Sequence, residues 1–296
     1  MHKMFRVSSA MGAAGFVLGL VVTLCLATGA IAEEEVKITE ETPYVQSPKI
    51  VVDTMLRMGA INANDFLIDL GSGDGRIVIN AAKERKARGF GVDYDPRLVK
   101  LANENARKAG VSDRASFFEQ NIFQTDLGAA TVVTMYLLPE YNLALQPRLL
   151  ALRPGTRIVS HDYGIGDWKP DASEKISVPE KRVGIEKAST ILFWIVPAKI
   201  GGHWRSSILT ASGATEIEFN LRQSFQNFEG TATVHGREVP IERPFLKAGY
   251  LSFRVTDGEE TLVFQGNVSN SRIAGKLIRG GETLRWRALR TEEQKG

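Results

Sequence analysis

The hydrophobic pattern of the 296-residue chain changes its period near residue 200. Before that point, short apolar runs typical of buried strands alternate with segments whose apolar residues recur at helical spacing. After Gly201-Gly202, apolar and polar residues alternate, and glycine-containing turn signals separate the runs. The first pattern predicts a mostly parallel sheet built from βαβ units, and the second predicts a small antiparallel sandwich or barrel. We therefore expect a doubly wound α/β domain at residues 43–199 and an antiparallel all-β domain at residues 200–292.

The first domain has a regular order of predicted elements. A helix from Asp74 to Lys86 follows the first apolar run. A second helix is delimited by Asp95 as its cap, Pro96 in its first turn and Gly110 at its end. The apolar runs predict six strands, at 66–70, 89–93, 116–120, 131–137, 157–163 and 191–196.

The N-terminus has the pattern of an export signal. Lys3 and Arg6 precede an apolar run, Met11–Ala32, which ends in the small-residue pattern Ala30-Ile-Ala32. We predict a cleaved signal peptide at residues 1–32 that engages the export machinery, with an uncleaved membrane anchor as the alternative. Either reading places the folded part outside the cytosol, in the periplasm or attached to the outer face of the inner membrane.

Composition excludes several classes of function. The formal net charge is only +3, which does not predict a nucleic-acid partner. The single cysteine, Cys25, lies in the N-terminal run, so the mature chain has no disulfide or thiolate site. The four histidines lack metal-ligand spacing, and we predict no metal site. Nothing in the sequence indicates an oligomeric state.

The strongest local motif is a strand, a glycine loop and a helix in succession. The segment Asp69-Leu-Gly-Ser-Gly-Asp-Gly75 contains the loop residues Gly71, Ser72, Gly73, Asp74 and Gly75. Glycines at such a turn permit positive φ angles and a close approach of ligand to backbone, and the helix N-terminus offers free N–H groups. The motif by itself predicts a nucleotide-like ligand and does not identify it.

Three details favour S-adenosylmethionine over a dinucleotide. Arg76 stands where a dehydrogenase would have its third glycine. Asp69 and Asp74 would repel a pyrophosphate but attract the sulfonium and ammonium groups of S-adenosylmethionine. Asp93 ends the second predicted strand, where a carboxylate accepts both hydroxyl groups of a ribose. We therefore predict S-adenosylmethionine as the cofactor.

The segment from Tyr44 to Asp171 resembles the class I methyltransferases, and most closely bacterial relatives of the ATP synthase c-subunit lysine N-methyltransferase family. The matching pieces are Pro43-Tyr-Val-Gln-Ser-Pro48, Asp69-Leu-Gly-Ser-Gly-Asp-Gly-Arg76, Gly91-Val-Asp-Tyr-Asp-Pro96, Val132-Val-Thr-Met-Tyr-Leu-Leu-Pro139 and Pro154-Gly-Thr-Arg-Ile-Val-Ser-His-Asp162. The resemblance implies methyl transfer from S-adenosylmethionine to a protein lysine.

The resemblance also implies roles for individual residues. Asp69 and the three loop glycines would hold the methionine end of the cofactor, and Asp93 the ribose. Tyr44 and Ser47 would form part of a cover over it. Asn121 stands where these enzymes often have an acid for the adenine amino group; its amide oxygen still accepts one hydrogen bond.

Three residues are candidates for the methyl-acceptor side, namely Tyr136, Glu140 and His161. Methyl transfer is an in-line displacement that needs positioning and a dry pocket more than a strong base. Glu140 is either a proton acceptor or an ordinary acid at a helix N-terminus, and His161 is either a base or a structural histidine.

Two further readings of the whole chain stay open at this stage. One is an exported binding module whose methyltransferase-like half is not catalytic, and the other is an NAD(P)-dependent enzyme. The β-domain carries no chemical motif. Its basic residues Arg285, Arg287 and Arg290 form either a site for an acidic partner or a solvated strand face.

Overall fold

The computed structural model describes residues 44–183, 186–210 and 213–291. The predicted signal segment 1–32 lies outside the described residues, as do residues 43 and 292 at the predicted domain limits. In the part of the chain that the structure describes, no helix combines the length and the apolar character needed to cross a bilayer.

The first half of the described chain forms a seven-stranded sheet. Its strands are β1 Phe66–Leu70, β2 Arg88–Asp93, β3 Ala115–Glu119, β4 Val132–Met135, β5 Arg157–His161, β6 Ala172–Ser177 and β7 Ala188–Ile195. They are arranged in the order β3-β2-β1-β4-β5-β7-β6. Strands β1 to β5 pair in parallel, whereas β7 is antiparallel to both of its neighbours. The predicted mostly parallel, doubly wound fold is confirmed.

Four helices complete this half, α1 Lys49–Met58, α2 Arg76–Arg85, α3 Pro96–Lys108 and α4 Pro139–Leu150. Helix α3 begins where the sequence predicts, because Asp95 accepts a hydrogen bond from the Arg97 backbone N–H at 2.8 Å and Pro96 occupies the first turn. Apolar faces of α1, α2 and α3 pack with β1 and β4 into one core. Because β1 to β5 are parallel, their carboxyl ends lie at one edge of the sheet. The helices and loops that follow them carry the site residues.

The second half of the described chain is a closed barrel of eight antiparallel strands. They are β8 Gly202–Thr210, β9 Gly213–Ser224, β10 Asn227–Val234, β11 Arg237–Lys247, β12 Tyr250–Asp257, β13 Glu260–Ser269, β14 Arg272–Arg279 and β15 Glu282–Arg290. Each strand pairs with the next, and β15 closes the barrel by pairing with β8. The sequence predicts an antiparallel sandwich or barrel, and the structure is a barrel.

Aromatic rings occupy the barrel interior. Phe253 and Phe264 stack with their centroids 5.0 Å apart, and the Phe219 and Trp286 rings meet them edge to face. These side chains occupy inward positions of β9, β12, β13 and β15, because successive residues of a strand point to opposite faces. Burial of such large rings contributes to the hydrophobic stabilisation of the barrel.

The basic residues of β15 do not form a single stripe. Arg285 and Arg287 are exposed on the outer face, but the Arg290 guanidinium lies 4.4 Å from the centre of the Trp204 ring. Arg290 also donates to the Lys199 carbonyl at 2.6 Å. The predicted grouping of Arg290 with the other two is wrong, because it is an odd number of positions from them and strand side chains alternate between faces.

The connection between sheet and barrel is anchored on the barrel. Gln223 of β9 donates to the Ala198 carbonyl at 2.9 Å and accepts from the Ile200 N–H at 2.6 Å. Ala198 in turn donates its backbone N–H to the Ala248 carbonyl, at 2.7 Å. Side-chain and backbone bonds therefore fix the path of the connecting segment.

Candidate functional site

A cavity of about 590 Å³ opens at the carboxyl ends of the parallel strands. It lies where β1 is flanked by β2 on one side and β4 on the other, which is the point where the chain reverses its direction of winding across the sheet. Its lining comes from the N-terminal segment, the glycine loop and the ends of β2 and β4. The lining residues include Tyr44, Gln46, Ser47, Asp69, Gly71, Ser72, Gly73, Asp74, Arg76, Asp93, Ile122, Tyr136, Leu137 and Tyr141.

Left-handed backbone shapes the glycine loop. Gly71, Gly73 and Gly75 have φ angles of 74°, 54° and 81°. A Cβ atom on Gly73 would lie 2.6 Å from the Tyr44 ring, and one on Gly75 would lie 2.5 Å from Phe117. Glycine is therefore required by conformation and by space at these positions.

Asp69 is buried at the end of β1 with one carboxylate oxygen left open. Its Oδ1 accepts a hydrogen bond from Thr134 at 2.6 Å, whereas Oδ2 has no partner among the described residues. Burial raises the pKa of Asp69 to about 7, and the neighbouring carboxylates of Asp93 and Asp74 add to this effect. A buried acceptor without a partner is costly, so this oxygen suits a ligand that brings a cationic donor.

Asp93 links the glycine loop to the end of β2. Its Oδ2 accepts from the Gly73 N–H at 2.8 Å, and its Oδ1 accepts from the Asp95 N–H at 3.0 Å. Each carboxylate oxygen has a second lone pair, so Asp93 can also accept from a ligand diol in the cavity it lines. The two backbone bonds fix the orientation of the carboxylate before any ligand arrives.

Asp74 is bound to a neighbouring cation, which the sequence pattern did not predict. Arg76 donates to both of its oxygens, through Nε at 2.9 Å and Nη2 at 2.6 Å. Burial opposes ionisation of Asp74, but the hydrogen bonds and charge of Arg76 outweigh it and hold the pKa of Asp74 below its usual value. The charge of Asp74 is therefore largely balanced by Arg76, and of the two loop acids only Asp69 keeps an open oxygen.

The N-terminal segment lies over the loop. Arg76 donates to the Ser47 carbonyl at 2.7 Å, and Gln46 donates to Asp74 at 3.3 Å and to the Tyr44 hydroxyl at 2.9 Å. The sequence pattern did not predict Arg76 or Gln46 as site residues. The position of Arg76, two residues after Asp74 at the start of a helix, was the signal that could have indicated its pairing with this acid. The Tyr44 ring covers Gly73, and both Tyr44 and Ser47 line the cavity.

Tyr136 follows β4 and lies close to two other rings. Its centroid is 3.9 Å from the His161 ring and 6.2 Å from the parallel Tyr163 ring. Burial raises the pKa of Tyr136 to about 12, with contributions from Asp162 and Tyr163. The phenol therefore stays protonated at neutral pH, and Tyr136 offers the cavity an aromatic surface with a neutral hydroxyl.

His161 is buried behind Tyr136. Its Nδ1 and Nε2 atoms lie 2.9 Å from the Ser47 and Ser189 hydroxyl oxygens. Burial lowers the pKa of His161 to about 4, against the opposing charge of Asp162. Because both ring nitrogens are engaged and the ring is neutral, the geometry favours a structural role over that of a base.

Two further predicted residues lie apart from these groups. Glu140 is exposed in the first turn of α4, where an acid stabilises the helix N-terminus. Asn121 uses its amide oxygen to accept from the Phe123 N–H at 2.8 Å, while the adjacent Ile122 lines the cavity. The arrangement thus brings Tyr44, Ser47, the glycine loop, Asp93 and Tyr136 around one cavity.

The cavity fits S-adenosylmethionine on the geometry of these residues. Asp69 Oδ2 and Ser72 Oγ are buried polar atoms without partners among the described residues. A glycine cradle and a strand-end carboxylate complete a site for a cationic amino acid joined to a ribose.

Comparisons with known proteins show that part of the chain is similar to methyltransferases. The model of the ANTKMT methyltransferase domain matches residues 69–172. A protein-lysine N-methyltransferase of Saccharolobus islandicus is 43% identical over 136 residues, which are 45% of this chain and 84% of that protein. The adenine nucleotide translocase lysine N-methyltransferase of Mus musculus is 31% identical over 133 residues, 45% of this chain and 58% of its own length. The chain therefore spans little more than half the length of the mouse protein.

One solved structure is also similar in sequence. It is an RNA methyltransferase from Salinibacter ruber in complex with S-adenosyl-L-homocysteine. The two chains are 46% identical, with 53% of this chain and 96% of that chain covered and a TM-score of 0.47.

Proposed function

The chain belongs to the class I methyltransferases that use S-adenosylmethionine, and from that membership we propose that it methylates the side-chain amine of lysine in a protein substrate. The observation that carries the choice of acceptor is the 43% identity to a protein-lysine N-methyltransferase across 84% of that relative. The name of the Salinibacter relative makes RNA the acceptor to be tested against lysine.

S-adenosylmethionine supplies an electrophilic methyl group on a positively charged sulfur. Asp69 Oδ2 would accept a hydrogen bond from the ammonium group of the cofactor, and Asp93 would accept from its ribose hydroxyl groups. The glycine loop allows the cofactor to approach the backbone, and Tyr44 covers the loop from the solvent side. These residues would bind and orient the methyl donor, which is the main requirement of an in-line displacement.

The acceptor amine must arrive without its proton. A lysine that enters a cavity lined by Tyr136, Leu137 and Tyr141 loses hydration, and that loss lowers the pKa of the amine. The neutral Tyr136 hydroxyl can accept a hydrogen bond from the amine and so orient its lone pair. In this proposal Tyr136 contacts the acceptor, while His161 supports the Tyr136 ring from behind.

Labelled methyl transfer tests the proposal. Purified protein and S-adenosylmethionine carrying a tritiated methyl group are incubated with a cell-envelope extract, and separately with total RNA. We expect label in a protein band and in methylated lysine after acid hydrolysis. Label in RNA alone, or in small molecules alone, would contradict lysine as the acceptor.

A matched pair of glycine variants links the label to the cavity. Gly73 and Gly110 both have positive φ angles, but only a Cβ on Gly73 would collide with the cover, whereas Gly110 has no neighbouring atom within 4 Å. We expect Gly73→Ala to lose most of the transfer and Gly110→Ala to retain it. Equal losses in the two variants would mean that strain, and not the cavity, accounts for the effect.

The N-terminal apolar run adds a proposal about location. Its charge and small-residue pattern are typical of an export signal, so we propose that the folded part acts outside the cytosol, in the periplasm or on the outer face of the inner membrane. Cell fractionation followed by N-terminal sequencing tests this. A periplasmic chain beginning near residue 33 is expected, whereas an intact chain in the cytosol would contradict it.

A further inference from the structure

The tip of the β9–β10 hairpin has an aromatic residue in an unfavourable backbone conformation. The turn consists of Phe225 and Gln226, because Ser224 pairs with Asn227. Phe225 has a φ of 54°, a value at which two-residue hairpin turns usually carry glycine, asparagine or aspartate. A bulky side chain there costs stability locally, so the ring needs a compensating contact.

That contact is with the half of the molecule that contains the seven-stranded sheet. The Phe225 ring is stacked on Trp168 with an interplanar angle of 10° and a centroid distance of 6.0 Å. Gln226 accepts from the Trp168 indole N–H and donates to the Lys169 carbonyl, both at 2.9 Å. Both residues of the tip therefore bind the same short stretch of the loop between β5 and β6.

At its other end the same loop approaches Tyr136, which lines the cavity. It begins after His161 and includes Tyr163, whose ring is parallel to that of Tyr136. Helix α4 holds this end through Asn142, which donates to the Tyr163 carbonyl at 3.2 Å, and Gln146, which donates to the Ile165 carbonyl at 3.0 Å. The loop is thus held by α4 on one side and by the barrel tip on the other.

The β11–β12 hairpin tip, at the same end of the barrel, makes a contact through its backbone. There the Ala248 carbonyl accepts from the Ala198 backbone N–H. Such a backbone bond attaches the connecting segment to the barrel but does not depend on the side chain at residue 248. At the β9–β10 tip, by contrast, the side chains of both turn residues hold the loop between β5 and β6.

We propose that Phe225 and Gln226 are positioning residues for methyl transfer, so that the barrel holds Tyr163, and through it Tyr136, in place for the acceptor. This inference rests on the proposed function. It assigns the barrel a part in the catalytic half and predicts that the tip affects use of the acceptor more than binding of the cofactor.

Phe225→Gly separates this role from a purely structural one. Glycine fits the positive φ and relieves the backbone strain, so the variant is expected to fold while losing the ring contact with Trp168. His235→Gly is the matched control, because His235 has a φ of 50° in the two-residue turn at the opposite end of β10. Phe225→Tyr keeps a ring and should restore wild-type behaviour.

Steady-state kinetics and calorimetry give the first readout. We expect Phe225→Gly to lower kcat/KM for the acceptor by about tenfold or more, since small misplacements in an active site have effects of this size. The Kd for S-adenosylmethionine should stay within about twofold of wild type. Unchanged kcat/KM for the acceptor, or an equal loss in kcat/KM for the acceptor and in affinity for S-adenosylmethionine, would overturn the proposal.

Hydrogen exchange gives a readout that does not need activity. Phe225→Gly should speed amide exchange in the peptide covering residues 163–168 and leave the loop at residues 71–75 unchanged. Unaltered exchange at 163–168 would contradict the positioning role even if the protein methylates lysine. Faster exchange at 163–168 in a protein that transfers no methyl group would show that the tip holds the loop, but it would contradict both the proposed function and a positioning role in methyl transfer.

Discussion

At the scale of single residues, the binding site depends on Asp69. Its carboxyl group is buried, is bound by Thr134 on one oxygen, and has a pKa raised to about 7 by that burial. Because the native pKa exceeds the unfolded value, the native state holds the proton more tightly, and ligand-free stability falls as the pH rises from about 4 to about 7. A cationic ligand next to Asp69 instead favours the ionised form of its carboxyl group.

Binding of S-adenosylmethionine should therefore release a proton from Asp69 near pH 6 to 7. Calorimetric titrations in buffers of different ionisation enthalpy measure this release. We expect close to one proton at pH 6 and almost none at pH 8.5, with affinity falling by up to about tenfold per pH unit below 7. Asp69→Asn should abolish the release; an unchanged proton count in that variant would assign it to another group.

The structure also argues that His161 supports the site without acting as a base. His161→Asn removes the Nε2 contact with Ser189 and should lower thermal stability. Methyl transfer should fall by less than about tenfold, because a general base would contribute about 100-fold or more. Initial rates at saturating substrates from pH 6 to 9 decide between the two roles. A loss of 100-fold with wild-type thermal stability would restore His161 as a base.

The glycine loop and Asp93 were predictable from the sequence, but the ion pair of Asp74 with Arg76 was not. The loop was predictable because positive φ angles demand glycine, and that demand is local. The direction of the Asp74 side chain depends on Arg76 and on Gln46 from a segment 28 residues earlier, so it is a tertiary property. The same holds for His161, whose neighbours come from three separate parts of the chain.

At the scale of elements, strands with a buried face were predictable and the exposed edge strand was not. β12 alternates Leu251, Phe253 and Val255 with polar residues, and the structure buries those three. β6, by contrast, reads Ala-Ser-Glu-Lys-Ile-Ser and is mostly exposed at the edge of the sheet. Such a strand is held by its pairing with β7 and carries little hydrophobic signal of its own.

Strands β14 and β15 contain a like-charge pair whose repulsion can be measured. Lys276 and Arg285 are paired directly across the two strands, and both are exposed. We expect Arg285→Glu to raise barrel stability by about 0.5 kcal/mol, because opposite charges facing each other on a sheet stabilise it and like charges do not. Thermal unfolding at low and high salt checks this, and Arg285→Gln should give an intermediate value. A destabilised Arg285→Glu variant would mean that Arg285 has a favourable partner.

At the scale of the whole molecule, the described residues form two separate hydrophobic cores, one against the sheet and one inside the barrel. The change in hydrophobic period predicted this division, since each period suits one type of layer. The contacts between the halves were not predictable, because Phe225 and Trp168 become neighbours only after both halves have folded.

Ligand binding should distinguish the two cores. Saturation with S-adenosylmethionine at about 100 times its Kd adds about 2.7 kcal/mol to the state that binds it. Hydrogen exchange should slow in the peptides that contain β1, β2 and the glycine loop, and stay unchanged in β13 and β14. Equal protection of the barrel strands would show that the two halves open as one unit.

The most direct test of the site is calorimetric titration of S-adenosylmethionine at pH 8 into the wild-type protein and two aspartate variants. Asp93→Ala removes a carboxylate that lines the cavity, and Asp113→Ala removes an exposed carboxylate that forms an ion pair with Arg114. We predict one binding site per chain in the wild type and in Asp113→Ala, with a loss of at least about tenfold in Asp93→Ala, in line with a charged hydrogen bond of about 1.5 kcal/mol or more. Undetectable binding to the wild-type protein, or equal affinity in all three proteins, would contradict the site described above.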